Sequence, residues 1–260
     1  MASATNSSKT IRIAAIQAPG MDAYLAWPDG PGPSPGIIVC SEIFGVTAHM
    51  RNIADRFAAL GYLALVPNFS WRNRSPVDLA YDATGREEGL RLLRLLDRAS
   101  VIEDMKSAIA ALRSDKRCTG RIGAVGFSSG GHIAFLAATQ LDLPATASFY
   151  AGWIVNGGIP LSEPEPTITL APSMAKRGGY FLGLVGGNDH LISAAEWEQF
   201  GQALTAAGVR HDLVSYPSAK HGFFCDERDG FDHQASADAW RRVVATFDTE
   251  LKATGGEVRG

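Results

Sequence analysis

The stretch that most constrains this chain runs from Ile122 to Leu136, reading Ile-Gly-Ala-Val-Gly-Phe-Ser-Ser-Gly-Gly-His-Ile-Ala-Phe-Leu. An apolar run of strand character enters it and an apolar run of helical character leaves it. Between them lies a Gly-x-Ser-x-Gly pattern, Gly126 to Gly130, centred on Ser128. A serine at the tip of a sharp strand-to-helix turn needs a cramped backbone, and the flanking glycines let neighbouring chain approach closely. Such a turn lifts the hydroxyl above a sheet and aims the first helical N–H groups toward it, where they can stabilise an oxyanion. The same residues also fit a glycine-rich turn with no chemistry, so the partners available to Ser128 must decide.

The rest of the chain repeats the strand-then-helix order. Gly36 to Cys40 and Tyr62 to Pro67 are short, wholly apolar runs, the pattern of parallel strands buried on both faces. Between them Met50, Ile53, Ala54, Phe57 and Leu60 recur at helical spacing and stop at Gly61. Arg86 to Leu112 has helical periodicity with a break near Asp97 to Ser100, giving two helices or one bent one. Further strands are expected at Thr146–Tyr150, Gly178–Val185 and Arg210–Tyr216, then an amphipathic helix with Trp240, Val243, Val244, Phe247 and Leu251 on one face. Ile11–Gln17 and Met21–Trp27 read as an edge hairpin. This order predicts one α/β domain over residues 1–260, a doubly wound, mostly parallel sheet flanked by helices. Residues 1–9 read as a flexible polar tail. Residues 152–177, with Pro160, Pro164, Pro166 and Pro172, are too long for an ordinary connection and read as a rim or lid.

In such sheets ligands bind beyond the carboxyl ends of the strands. Ser128, Asp189 and His221 each follow a predicted strand, as does Glu42 earlier in the chain. The order Ser…Asp…His is that of an α/β-hydrolase triad. In it His221 takes the proton of Ser128 while Asp189 fixes the imidazole tautomer, and the backbone N–H groups of Ile43 and Ser129 form the oxyanion hole. Each residue has a plainer reading: Asp189 could cap a helix near Ser193 or close its turn, and His221 is one of six histidines. Position and order together favour the triad. His190 adjoins the acid and could line the site, whereas His132, inside the helix after the turn, reads as structural. A glutamate leaving a buried strand must be exposed, paired or functional, so Glu42 is either a site residue or the partner of a nearby arginine.

Composition narrows the class. The net charge is -3 and no block of like charge is long enough to grip nucleic acid or a membrane surface. No run approaches a membrane span, and the polar start lacks the apolar core of a signal peptide, so a cytoplasmic location is expected. Cys40, Cys118 and Cys225 are too few and too scattered for a disulfide framework or zinc cluster. No cofactor or metal is expected, and nothing in the sequence sets the oligomeric state.

These segments together resemble the dienelactone hydrolase family, α/β hydrolases that open unsaturated lactones. Ser41-Glu42-Ile43-Phe44-Gly45-Val46 is similar to the family's Gln-Glu-Ile-Phe-Gly segment, continued by His49-Met50-Arg51. Val66 to Arg72 looks like its post-strand loop, and Gly187-Asn188-Asp189-His190 and His221-Gly222-Phe223 look like its acid and histidine segments. The resemblance implies that Arg86 binds a substrate carboxylate. Two departures stand out. The family's usual nucleophile is a cysteine within Gly-Tyr-Cys-x-Gly-Gly, where this chain has Ser128. The family's second arginine, a few residues beyond the histidine, is replaced by Phe223-Phe224-Cys225-Asp226, with Arg228 as a loose substitute. A hydroxyl is a far weaker acid than a thiol, so the counterpart of Glu42 cannot be carried over as the proton acceptor, and His221 takes that role. The expected activity is hydrolysis of a small ester or lactone, selecting anionic substrates through Arg86. The alternative is a family member without efficient chemistry that binds ligand.

Overall fold

Side-chain alternation along the central strands decides the architecture. In a computed structural model of the chain, which describes residues 6–15 and 18–252, Ile37 and Val39 face one core while Ile38 and Cys40 face another. The strands are β1 (Asn6–Ala15), β2 (Ala18–Pro28), β3 (Ser34–Cys40), β4 (Leu63–Pro67), β5 (Cys118–Phe127), β6 (Ala145–Phe149), β7 (Tyr180–Gly186) and β8 (Arg210–Tyr216). The helices are α1 (Ala48–Ala59), α2 (Ala83–Leu93), α3 (Arg98–Ser114), α4 (Ser129–Gln140), α5 (Ala171–Arg177), α6 (Ala194–Ala207) and α7 (His233–Phe247). All eight strands form one sheet in the order β1-β2-β4-β3-β5-β6-β7-β8, parallel from β4 to β8 and antiparallel across β1, β2 and β4. The chain thus has the α/β-hydrolase fold.

Helices α1 and α7 cover one face, setting Met50, Phe57, Val243 and Phe247 against Val39, Val125 and Phe149. Helices α3, α4 and α6 cover the other, with Met105, Ile133, Phe135 and Phe200 against Ile38, Ala124 and Phe181. Buried on both faces, the central strands need no polar side, which is why they read as continuous apolar runs. The periodic run after Arg86 is two helices because Asp97 ends it: its carboxylate accepts the N–H of Ser100 at 2.8 Å and caps α3. The edge hairpin exists as β1 and β2, although Ile16 and Gln17 lie outside the described residues. The expected tail at 1–9 is partly outside them too. Its remainder differs from expectation: Asn6 to Lys9 open β1 and pair with Leu25 to Pro28, because an antiparallel neighbour supplies their backbone hydrogen bonds. No helix among the described residues is long and apolar enough to cross a membrane.

Candidate active site

The backbone at Ser128 is bent as a strand-to-helix elbow requires, with φ 52° and ψ -118°, a region costly for any residue with a side chain. Its N–H donates to the Phe149 carbonyl at 2.9 Å, tying the turn to β6. The turn closes only because its neighbours lack side chains. A Cβ on Gly126 would sit 2.0 Å from the Gly130 carbonyl oxygen, and one on Gly130 would sit 2.1 Å from that of Cys40. Ser128 occupies the N-cap position of α4, yet its hydroxyl makes no capping bond. It lies 3.0 Å from His221 Nε2 instead.

His221 follows β8, and its other ring nitrogen, Nδ1, lies 2.9 Å from Asp189 Oδ2 beyond β7. An ionised carboxylate only accepts, so Nδ1 carries the proton and the Nε2 lone pair is left for the Ser128 hydroxyl. Asp189 Oδ1 accepts the Leu191 N–H at 2.8 Å, which fixes the carboxylate in its turn. The helix there is capped by Ser193, whose hydroxyl accepts from Glu196, so the capping reading of Asp189 does not apply. Side chains of His221 and Asp189 are 5% and 0% exposed. The imidazole makes edge contacts with the rings of Tyr150 and His190, centroids 5.0 and 5.5 Å away.

Ser128 and His221 open into a cleft of about 320 Å³ whose walls include Ile43, Phe44, Leu90, Trp153 and Leu191. Ser129 opens α4 directly after Ser128, and Ile43 follows β3 and lines the cleft. Glu42 is 3% exposed; one oxygen accepts from Arg228 Nη1 at 3.2 Å and the other has no partner among the described residues. The structure thus pairs Glu42 with an arginine, one contributed by the far end of the chain. Arg86 stands exposed on the first turn of α2, lining the cleft, with no side-chain hydrogen bond or ion pair among the described residues. Other arginines of that region are engaged elsewhere: Arg72 with Asp104, Arg74 and Arg91 with Glu88, and Arg98 with the rim.

Residues 152–177 are folded, with short helical turns at Pro160–Ser162 and Thr167–Leu170 before α5. His132, wholly buried, bonds the Gly152 carbonyl at 3.1 Å and Thr167 Oγ1 at 2.8 Å, pinning the segment to α4. Burial depresses its pKa to about 4, so it is a structural neutral imidazole and not a base. The segment sends Trp153, at φ 63°, into the cleft wall. Sequence reasoning missed Tyr150 and Trp153: the expected strand Thr146–Tyr150 absorbs the first, while the second lies a few residues beyond β6, where the rule that nominated Asp189 reaches it. Burial raises the thiols of Cys40 and Cys225, the latter to about 12, and Cys118 opens β5 at the end remote from Ser128. The described residues contain one group with metal-ligand spacing, His49, Asp226 and Glu227, outside this cleft and with both carboxylates exposed.

Residues 21–251 match the sequence model of the dienelactone hydrolase family. A provisionally named carboxymethylenebutenolidase of Synechocystis sp. is 38% identical over 233 residues, covering 88% of this chain and 92% of that protein. One from Escherichia coli, likewise provisionally named, is 32% identical over 233 residues, 89% of this chain and 83% of the relative. Among solved structures, a provisionally assigned dienelactone hydrolase from Klebsiella pneumoniae superposes with a TM-score of 0.83 at 30% identity, covering 94% of this chain and 98% of the other.

Proposed function

The chain belongs to the dienelactone hydrolase family of α/β hydrolases, and on that premise we propose that it cleaves a carboxylic ester or lactone through Ser128, His221 and Asp189. The observation that carries this reading is the continuous line from Ser128 Oγ to His221 Nε2 at 3.0 Å and from His221 Nδ1 to Asp189 Oδ2 at 2.9 Å. Ser128 attacks the carbonyl carbon as its proton passes to Nε2, and the carbonyl oxygen takes the negative charge. The N–H groups of Ile43 and Ser129 receive that charge; each such donor is worth roughly 10²- to 10³-fold in rate. Collapse breaks the bond to the alcohol oxygen, which leaves with the Nε2 proton, and an acyl-enzyme remains. Water then attacks with His221 as base, releasing the acid and restoring the serine. Asp189 stays ionised throughout and stabilises the imidazolium.

A lactone substrate is supported by the names of the relatives, and an anionic one by Arg86 on an otherwise largely apolar cleft. Glu42 is read here as an auxiliary group that positions Arg228, not as the base, since His221 already holds the hydroxyl. Residues 152–177 act as the rim of a single catalytic domain. A cytoplasmic site of action fits the three free cysteines.

The test is a fluorophosphonate probe together with a panel of aryl esters and dienelactone. Labelling at Ser128 and loss of at least a thousandfold in kcat for Ser128→Ala are expected. Turnover unchanged in that variant would refute the nucleophile, and an unlabelled chain that binds but never cleaves the panel would make it a ligand-binding protein.

A further inference from the structure

A second cavity, of about 360 Å³, lies on the face of the sheet covered by α1 and α7 and shares no wall residue with the Ser128 cleft. Its volume falls within the range of small-molecule sites. Arg56, from α1, lies over the ring of Trp240, 3.8 Å from its centroid, and 5.5 Å from that of Phe224. Burial lowers the Arg56 pKa, and Asp226 offsets this only through space. The guanidinium makes no side-chain hydrogen bond or ion pair among the described residues, so a half-buried fork of five N–H donors is left unused. None of its nitrogens is a buried atom without a partner, so they reach the open side of the cavity, where an anion can pair with them.

The rest of the lining bears on the ligand as well. Phe224 and Phe231 add apolar walls, and Phe231 is 40% exposed beside an otherwise polar rim. Asp226, the acid on the wall, is bonded to His49 Nδ1 at 3.1 Å, and the exposed Glu227 lies beside the pair.

We propose that this cavity binds a small planar organic carboxylate, its charge on Arg56 and its apolar body between Phe231 and Trp240. The proposal does not depend on the reaction at Ser128. The probe is trans-cinnamate, titrated calorimetrically into the full chain in buffer containing EDTA, with the uncharged cinnamamide as control. Cinnamate is expected to bind in the sub-millimolar range and cinnamamide at least tenfold more weakly. Arg56→Gln should weaken cinnamate roughly 10- to 150-fold, the range of a charge-assisted contact, while Arg86→Ala in the other cleft leaves it unchanged. Phe231→Ala, at an exposed position that the fold does not need, should weaken it several-fold and decides the matter if Arg56→Gln fails to fold. No saturation at millimolar cinnamate overturns the proposal. So does equal affinity for cinnamamide, binding seen only without EDTA, or binding that survives Phe231→Ala and is abolished by Arg86→Ala.

Discussion

Acidification should weaken this protein through His132. The imidazole is wholly buried with a pKa of about 4, against about 6.5 in an unfolded chain. Between these values the unfolded state binds a proton that the folded state refuses, so stability is present above pH 6.5 and is lost as pH falls toward 4. Integrating the two titrations from pH 7 to pH 4 gives a loss of roughly 3 kcal/mol from this one residue. The cause is local. The Gly152 carbonyl only accepts, so Nδ1 carries the neutral ring's proton, while Nε2 accepts from the Thr167 hydroxyl. A second proton leaves a charge buried out of water and repelled by Arg98, and it turns Nε2 from acceptor to donor toward the Thr167 hydroxyl. The measurement is urea unfolding at a series of pH values for the chain and for His132→Gln. The variant should be less stable at pH 7 but should lose roughly 3 kcal/mol less on going to pH 4. Identical losses in the two proteins would show that His132 titrates normally and that the reasoning is wrong.

Three other outcomes are expected. Gly130→Ala puts a Cβ 2.1 Å from the Cys40 carbonyl oxygen and 2.4 Å from that of Ser41, so unfolding should occur roughly 1–3 kcal/mol lower; equal urea midpoints would mean that the elbow has room. Arg72→Met removes two bonds of 2.6 and 2.9 Å from Asp104, whose side chain is 2% exposed, and leaves it the Trp71 Nε1–H donor at 3.2 Å. Because Arg72 is itself 40% exposed, about 2–3 kcal/mol is expected at pH 7, below the cost at a fully buried pair, and adding Asp104→Asn should recover part of it in the same assay. Arg86→Ala should raise KM for carboxylate-bearing esters by roughly 3- to 10-fold more than for neutral ones, the modest size reflecting an exposed cation; equal changes in steady-state KM would remove Arg86 from substrate selection.

Much of this was readable from residue order because the physics is local. A strand buried on both faces must be apolar throughout, as Gly36 to Cys40 is, and a helix after Gly126-Phe127-Ser128 needs glycine where chains touch. A parallel sheet sends every strand's carboxyl end to the same side, so order alone brought Ser128, Asp189 and His221 to one edge. Order does not say how far each loop reaches. The 3.0 and 2.9 Å contacts that orient the imidazole, the bond from Arg228 to Glu42 across 186 positions, and the binding of the rim by His132 are tertiary facts. They depend on where loops of no fixed period come to rest. Glu42 shows the division most clearly: its sequence required that a carboxylate beside a buried strand be exposed, paired or functional, and only the packed chain chose its partner.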